Sequence, residues 1–150
     1  MNPASRFVVL SACAVALVLP AALTGCSADP TAVAVGSNQQ AERPAGPGRV
    51  GVADFAALVA APNVQIIDVR TPEEFSEGHL AGAVNIPVQG TDFAARIARL
   101  DPAGTYAVYC RSGNRSKPAV AAMKEAGITT IYELDSGTIG WTKGGQPLTR

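Results

Sequence analysis

Residues Val64 to Val69 read VQIIDV and lead, after a single residue, into Thr71-Pro72-Glu73-Glu74. The β-branched run offers apolar side chains on both phases of a strand, so the strand expects cover on both faces. Thr71 and Glu74 form a capping box with Pro at the first helical position, so a helix begins almost at once. A doubly covered strand that passes straight into a helix does not suit a one-sided antiparallel meander. It belongs in a parallel sheet with helices packed on it. The rest of the chain keeps this alternation. Asp54–Val59 predicts a short helix, and Ala83–Ile86 a short strand closed by Pro87. Phe93, Ile97 and Leu100 recur at helical spacing, which predicts a helix over Asp92–Leu100, ended by Asp101-Pro102. Thr105–Tyr109 predicts a strand, Ser116–Ala126 a helix stopped by Gly127, and Thr129–Leu134 a further strand. The expected fold is α/β, a central parallel sheet with right-handed crossovers and helices on both faces, whose sites lie beyond the carboxyl ends of the strands.

The front of the chain is different material. Phe7 to Ala22 is a run of 16 residues without a charge, preceded by Arg6 and followed by Leu23-Thr24-Gly25-Cys26. A short basic start, an apolar stretch and small residues before the cut describe an export signal. The tetrapeptide resembles the lipobox of bacterial lipoproteins. That resemblance implies removal of residues 1–25, diacylation of Cys26 as the new first residue, and an exported protein held by lipid to the outward face of the cell membrane or envelope. An ordinary secretory signal and a single membrane-spanning helix are the alternatives; the run is short for the second, which needs about 20 apolar residues, and Pro20 interrupts it. Residues 26–48, from the lipidated Cys onward, hold no aromatic and are rich in Pro and Gly, as a flexible linker is. Gly46-Pro47-Gly48-Arg49-Val50-Gly51 spells a dinucleotide fingerprint, but a Pro-rich segment stands where its strand should be. Residues 49–150 remain for one domain.

Charge and cysteine usage narrow the function. Twelve Lys and Arg balance twelve Asp and Glu with no dense basic patch, which argues against a nucleic-acid partner. One His cannot build a multi-histidine metal site, and no metal or cofactor is called for. If Cys13 leaves with the signal and Cys26 carries lipid, Cys110 is the domain's one thiol and has no disulfide partner. It ends the Thr105–Tyr109 strand, and a short glycine-bearing loop with Arg111 and Arg115 separates it from the next helix. Successive N–H groups in such a loop, the helix dipole and two cations all favour an anion there, and so a thiolate. A buried inert Cys beside two solvated arginines is the alternative.

Cys110-Arg111-Ser112-Gly113-Asn114-Arg115-Ser116 resembles the active-site loop of rhodanese (thiosulfate sulfurtransferase) domains. Ile67-Asp68-Val69-Arg70, Pro72-Glu73-Glu74-Phe75 and Gly78-His79-Leu80-Ala81-Gly82-Ala83-Val84-Asn85-Ile86-Pro87 resemble that family's N-terminal signature. The resemblance implies a sheet of about five strands. It also implies transfer of a sulfane sulfur from thiosulfate or a similar donor, through a persulfide on Cys110, to a thiophilic acceptor such as cyanide, a small thiol or a partner protein's Cys. On it, Cys110 is catalytic; Arg111, Ser112, Gly113, Asn114, Arg115, Ser116 and Arg70 meet substrate; Asp68 and His79 give structural support. In the stretch Leu134-Asp135-Ser136-Gly137-Thr138-Ile139-Gly140-Trp141, Ser136 replaces the first of the family's paired glycines. Were positive φ required there, Ser would cost about 1 kcal/mol or more. Two other readings stand beside this one. The first is a non-catalytic sulfur- or anion-binding module docking to a redox partner. The second is a Cys-dependent phosphatase or arsenate reductase, which is disfavoured because Cys110 and Arg115 enclose four residues and the phosphatases place five.

Overall fold

The computed structural model describes residues 46–150; the expected signal segment 1–25, Cys26 and the linker up to residue 45 lie outside the described residues. Ten elements follow in order: β1 (Gly48–Val50), α1 (Val52–Val59), β2 (Val64–Asp68), α2 (Pro72–Glu77), β3 (Val84–Asn85), α3 (Phe93–Ile97), β4 (Thr105–Tyr109), α4 (Ser116–Glu125), β5 (Thr130–Leu134) and α5 (Gly137–Lys143). The strands form one sheet in the order β1-β5-β4-β2-β3, every pair parallel. The α/β sheet with helices on both faces is therefore as expected, and β4, the strand that ends at Cys110, is its centre.

Strand phase divides the core in two. Ile67, Tyr106, Val108 and Ile131 face one side, where they pack against Phe93 and Ile97 of α3 and Ala119 and Met123 of α4. Ile66, Ala107, Tyr109, Tyr132 and Leu134 face the other, against Phe55 and Leu58 of α1 and Trp141 of α5. The two central strands are apolar on both phases because both phases are covered. The capping box of α2 closes as the sequence requires: Glu74 N–H donates to Thr71 Oγ1 at 3.3 Å and Thr71 N–H donates to Glu74 Oε2 at 3.2 Å.

Three elements depart from the sequence reading. The helix expected over Asp92–Leu100 is confined to Phe93–Ile97 as α3. Gly48–Val50, which spans the expected boundary between linker and domain and lies inside the Gly46–Gly51 fingerprint pattern, is edge strand β1, in register with Tyr132, Glu133 and Leu134 of β5. Three residues carry too little periodicity to reveal a strand that only its partner creates. Gly137–Lys143, read only as a glycine-bearing stretch, is helix α5. Its two glycines and two threonines are poor helix formers, and packing holds it instead. Trp141 meets the Phe55 ring edge-on at 6.1 Å, and its indole N–H donates to the Pro147 carbonyl at 2.8 Å.

Phe55 has no exposed surface and anchors this second core layer. Phe55→Ala is expected to destabilise the domain by about 3–5 kcal/mol, read as a lower urea midpoint.

Candidate active site

β4 carries Cys110 to the carboxyl edge of the sheet, where it is fully buried. The loop from Arg111 to Arg115 then bends around the sulfur: Gly113 N–H donates to Cys110 Sγ at 3.1 Å, and the thiol meets Ser116 Oγ at 3.6 Å. Burial alone pushes the thiol up; the Ser116 hydroxyl and the backbone N–H groups of Ser116, Ser112 and Arg115 outweigh it, and the net effect lowers the Cys110 pKa. The loop can bend this way because Gly113 lies at φ +77°, where a Cβ would overlap the Asp135 carbonyl oxygen.

The first turn of α5 grips the other side of the loop. Thr138 N–H donates to the Cys110 carbonyl at 2.9 Å and Ile139 N–H to the Arg111 carbonyl at 3.1 Å. This approach needs Gly137, at φ +59°, because a Cβ there would overlap both carbonyls. Ser136 itself sits at φ −104° as the residue preceding α5, so the strain considered for a Ser at that place does not arise.

The arginines divide by partner. Arg115 makes a two-pronged ion pair with Glu74 of α2, at 2.6 and 2.7 Å. The Arg115 guanidinium holds the Glu74 carboxyl down to about 2, against its burial. Arg70, expected to meet substrate, is turned into the fold. It is buried, its Nε and one terminal nitrogen bond the Asp68 carboxylate at 2.6–3.0 Å, and that nitrogen also donates to the Gly78 carbonyl at 2.7 Å. Asp68 is itself fully buried and accepts the Arg70 N–H at 2.9 Å. Arg111 is exposed and has no side-chain hydrogen bond or ion pair among the described residues. Ser112 and Asn114 are exposed on the loop's outer side, within 3.5 Å of each other.

His79 is occupied away from the loop. Its ring stacks on Phe75 with centroids 3.8 Å apart, its Nδ1 donates to the Phe75 carbonyl at 3.0 Å, and its backbone pairs with Thr149. Three residues of the site were not recognised in the sequence as belonging to it. Glu74 was read as a cap and as part of the Pro72-Glu73-Glu74-Phe75 signature, without a role at the loop. Glu133 is buried, and its Oε1 accepts from Ser116 Oγ at 2.7 Å and from Arg49 at 2.6 Å. Arg49 also donates to the carbonyls of Gly113, at 3.2 Å, and Asp135, at 2.9 Å. A signal for Glu133 did exist: it stands in TIYEL in phase with Ile131, a charge at a core position.

Residues 51–144 match the model of the rhodanese-like domain. The chain belongs to the rhodanese-like family. Among relatives of this rhodanese-like chain, the thiosulfate sulfurtransferase 16 of Arabidopsis thaliana chloroplasts is 35% identical over 91 residues, covering 54% of this chain and 76% of that one. A "probable adenylyltransferase/sulfurtransferase" of Mycobacterium tuberculosis is 38% identical over 82 residues, 55% of this chain but 21% of that protein. The crystal structure of a rhodanese-related protein from Thermoplasma volcanium superposes with a TM-score of 0.60 at 29% identity, covering 67% of this chain and 96% of that one. At family level the chain is a sulfurtransferase.

The rhodanese-like loop yields two expectations. Because the folded-state value of Glu74 lies below its ordinary 4.5, its pairing stabilises the fold above that pH and is lost as pH falls towards about 2. The stability difference between wild type and Glu74→Gln, from urea unfolding, should be constant above about pH 5 and narrow below about pH 4. Gly137→Ala should cost at least about 1–2 kcal/mol, whereas Ser136→Gly should change stability by less than about 1 kcal/mol.

Proposed function

We propose that this protein moves a sulfane sulfur from thiosulfate or a similar donor, through a persulfide on Cys110, to a thiophilic acceptor at the cell envelope. The observation that carries the reading is the Cys110 sulfur, shut into the end of β4 with backbone N–H groups turned on it and its pKa lowered. The Cys110 thiolate attacks the outer sulfur of thiosulfate. A new S–S bond forms, the bond to the sulfonate sulfur breaks, and sulfite leaves with the electron pair. The product persulfide is again a monoanion, so the N–H groups that favour the thiolate favour it as well. Cyanide, a small thiol or a partner protein's thiol then attacks the outer sulfur and regenerates the thiolate.

The donor's sulfonate brings negative charge to the loop, and the exposed Arg111, which has no side-chain hydrogen bond or ion pair among the described residues, is the cation proposed to meet it. Arg115, also expected to bind donor, has its charge met by Glu74 and serves to hold the loop on α2. Arg70 and Asp68 brace the end of β2. A phosphoryl group needs a wider ring of donors than four intervening residues supply, and a fully buried sulfur suits a single-atom approach; both support sulfur over phosphate. The membrane location rests on the first 26 residues: Arg6, the uncharged run Phe7 to Ala22 and the lipobox-like Leu23-Thr24-Gly25-Cys26.

On thiosulfate the intact mass of the wild type should rise by one sulfur and return, with thiocyanate released, on adding cyanide; Cys110→Ser should show no gain while remaining folded. A wild type that alkylates at Cys110 yet never gains sulfur would overturn the reading. Arg111→Ala should raise KM for thiosulfate about tenfold with kcat little changed. Cys26→Ser should release the protein from membranes, and continued membrane fractionation would contradict lipid anchoring.

A further inference from the structure

Arg115 closes the loop around the sulfur, and its backbone N–H is among the groups that lower the Cys110 pKa. Its guanidinium is taken up by α2, where it donates to both oxygens of Glu74 at 2.6 and 2.7 Å. Glu74 is held ready for it: the capping box fixes the same carboxylate, whose Oε2 also accepts from Thr71 N–H at 3.2 Å. The pair is shielded, with 28% of the Arg115 side chain and 25% of the Glu74 side chain exposed, so salt screens it less than a surface pair. Glu74 raises the Arg115 pKa against the cost of burial, and the nearby charge of Cys110 adds to the rise, which puts the guanidinium within electrostatic reach of the sulfur. With its carboxyl held down to about 2, Glu74 is an anion across the neutral range, and the pair is neutral as a whole.

We propose that Glu74 sets the choice of donor by charge: by pairing Arg115 it cancels the loop's second cation, and so keeps the site open to sulfane donors with one negative charge, such as organic thiosulfonates, beside the dianion thiosulfate. The inference rests on the reading of Cys110 as the sulfur nucleophile and concerns which donors that nucleophile meets. With a thiosulfonate, the Cys110 thiolate attacks the outer sulfur, the bond to the sulfonyl sulfur breaks, and a sulfinate leaves with the electron pair. The persulfide formed is the one that thiosulfate gives. Two negative charges enter this step and two leave it; with thiosulfate three enter and three leave.

An unpaired Arg115 would favour the step with three charges over the step with two, because each further negative charge of the donor gains from a cation within reach. The other arginines leave this balance to Glu74. Among the described residues Arg49 is paired with Glu133 and Arg70 with Asp68, and Arg111 is the loop cation without an ion pair. Glu74 acts through Arg115, as a specificity-determining residue. Glu73, the preceding residue of α2, carries the same charge but is exposed and has no ion pair among the described residues, so it serves as the control.

The test compares kcat/KM for thiosulfate with kcat/KM for methanethiosulfonate in the full-length protein, with cyanide as acceptor and thiocyanate as readout, at neutral pH and fixed ionic strength. Both donors give the same persulfide and differ by one negative charge, so a change in their ratio between variants reads charge at the site. Glu74→Gln, in which Gln can still close the capping box, should raise the ratio of thiosulfate to methanethiosulfonate about fivefold. Arg115→Gln, which removes the cation and leaves Glu74 unpaired, should lower it by about the same factor. The two substitutions together remove both charges and should return the ratio to within about twofold of wild type. Glu73→Gln should leave it there as well, since an exposed charge is screened. A pair that only held the loop in place would weaken turnover of both donors alike. An unmoved ratio in Glu74→Gln and Arg115→Gln, with both donors turned over, would therefore overturn this inference alone; either variant decides the matter if the other folds poorly. A Glu73→Gln ratio that rises as far as that of Glu74→Gln would overturn it too. No turnover of either donor by a wild type that alkylates at Cys110 would sink the sulfurtransferase reading and this inference with it.

Discussion

Two backbone hydrogen bonds make a cradle out of a strand end. Each peptide unit is planar and trans, so a carbonyl fixed in one direction sends the N–H of the following residue the opposite way. Ile139 N–H holds the Arg111 carbonyl on the α5 side. The Ser112 N–H, in the same peptide plane, must then point away from α5, and it is one of the groups that lower the Cys110 pKa. Thr138 does the same for the Cys110 carbonyl, and both bonds depend on the absence of a side chain at Gly137. The ring of N–H groups around Cys110 is oriented from outside the loop: α5 sets the direction of the carbonyls and the sulfur receives the opposite ends of those peptides.

Sheet phase explains which side chains join that cradle. Successive residues of a strand face opposite ways, and paired residues on neighbouring strands share a face. Val108 pairs with Glu133, and Glu133 pairs with Arg49, so these three lie in a row on the α4 face of the sheet. Cys110, two residues beyond Val108, continues the same phase past the end of β4. Ser116 opens α4 directly above the row. A carboxylate from β5 and a thiol at the end of β4, far apart in sequence, thus meet because parallel pairing stacks them, and β1 completes the row with a guanidinium.

This non-local origin separates what the sequence revealed from what it concealed. The four strands with clear apolar runs, the capped helix α2 and the Cys110 loop rest on local patterns, and each was legible within a window of a few residues. β1 was not, because a three-residue edge strand exists only through its partner. Helix α5 was not, because its glycines and threonines favour helix less than packing on Phe55 does. The placing of Arg70 was hidden for a related reason: a cation at a strand's carboxyl end looks available to a ligand until the Asp68 two residues earlier, on the same phase, and the Gly78 carbonyl are seen to hold it. Glu74 carried a local signal strong enough, as a cap, to hide its second partner on α4's entry loop.

Polar saturation limits what the site can accept. Among the described residues no buried side-chain nitrogen or oxygen lacks a hydrogen-bond partner. Asp68 is committed to Arg70, Glu74 to Arg115, and Glu133 to Arg49 and Ser116. An incoming anion that drew Arg70 or Arg49 away would leave the buried Asp68 or Glu133 carboxylate without its ion-pair partner, which costs several kcal/mol, while Arg115 already has its charge met by Glu74. Among the described residues, what remains open to it is the set of backbone N–H groups around Cys110 and the exposed Arg111 of the loop. Such a site offers strong stabilisation to one atom of negative charge at its centre and a single cation for charge held further out. The donor proposed above, a sulfane sulfur bearing a sulfonate, would match that arrangement, and the persulfide proposed on Cys110 would keep the part of the charge at its centre.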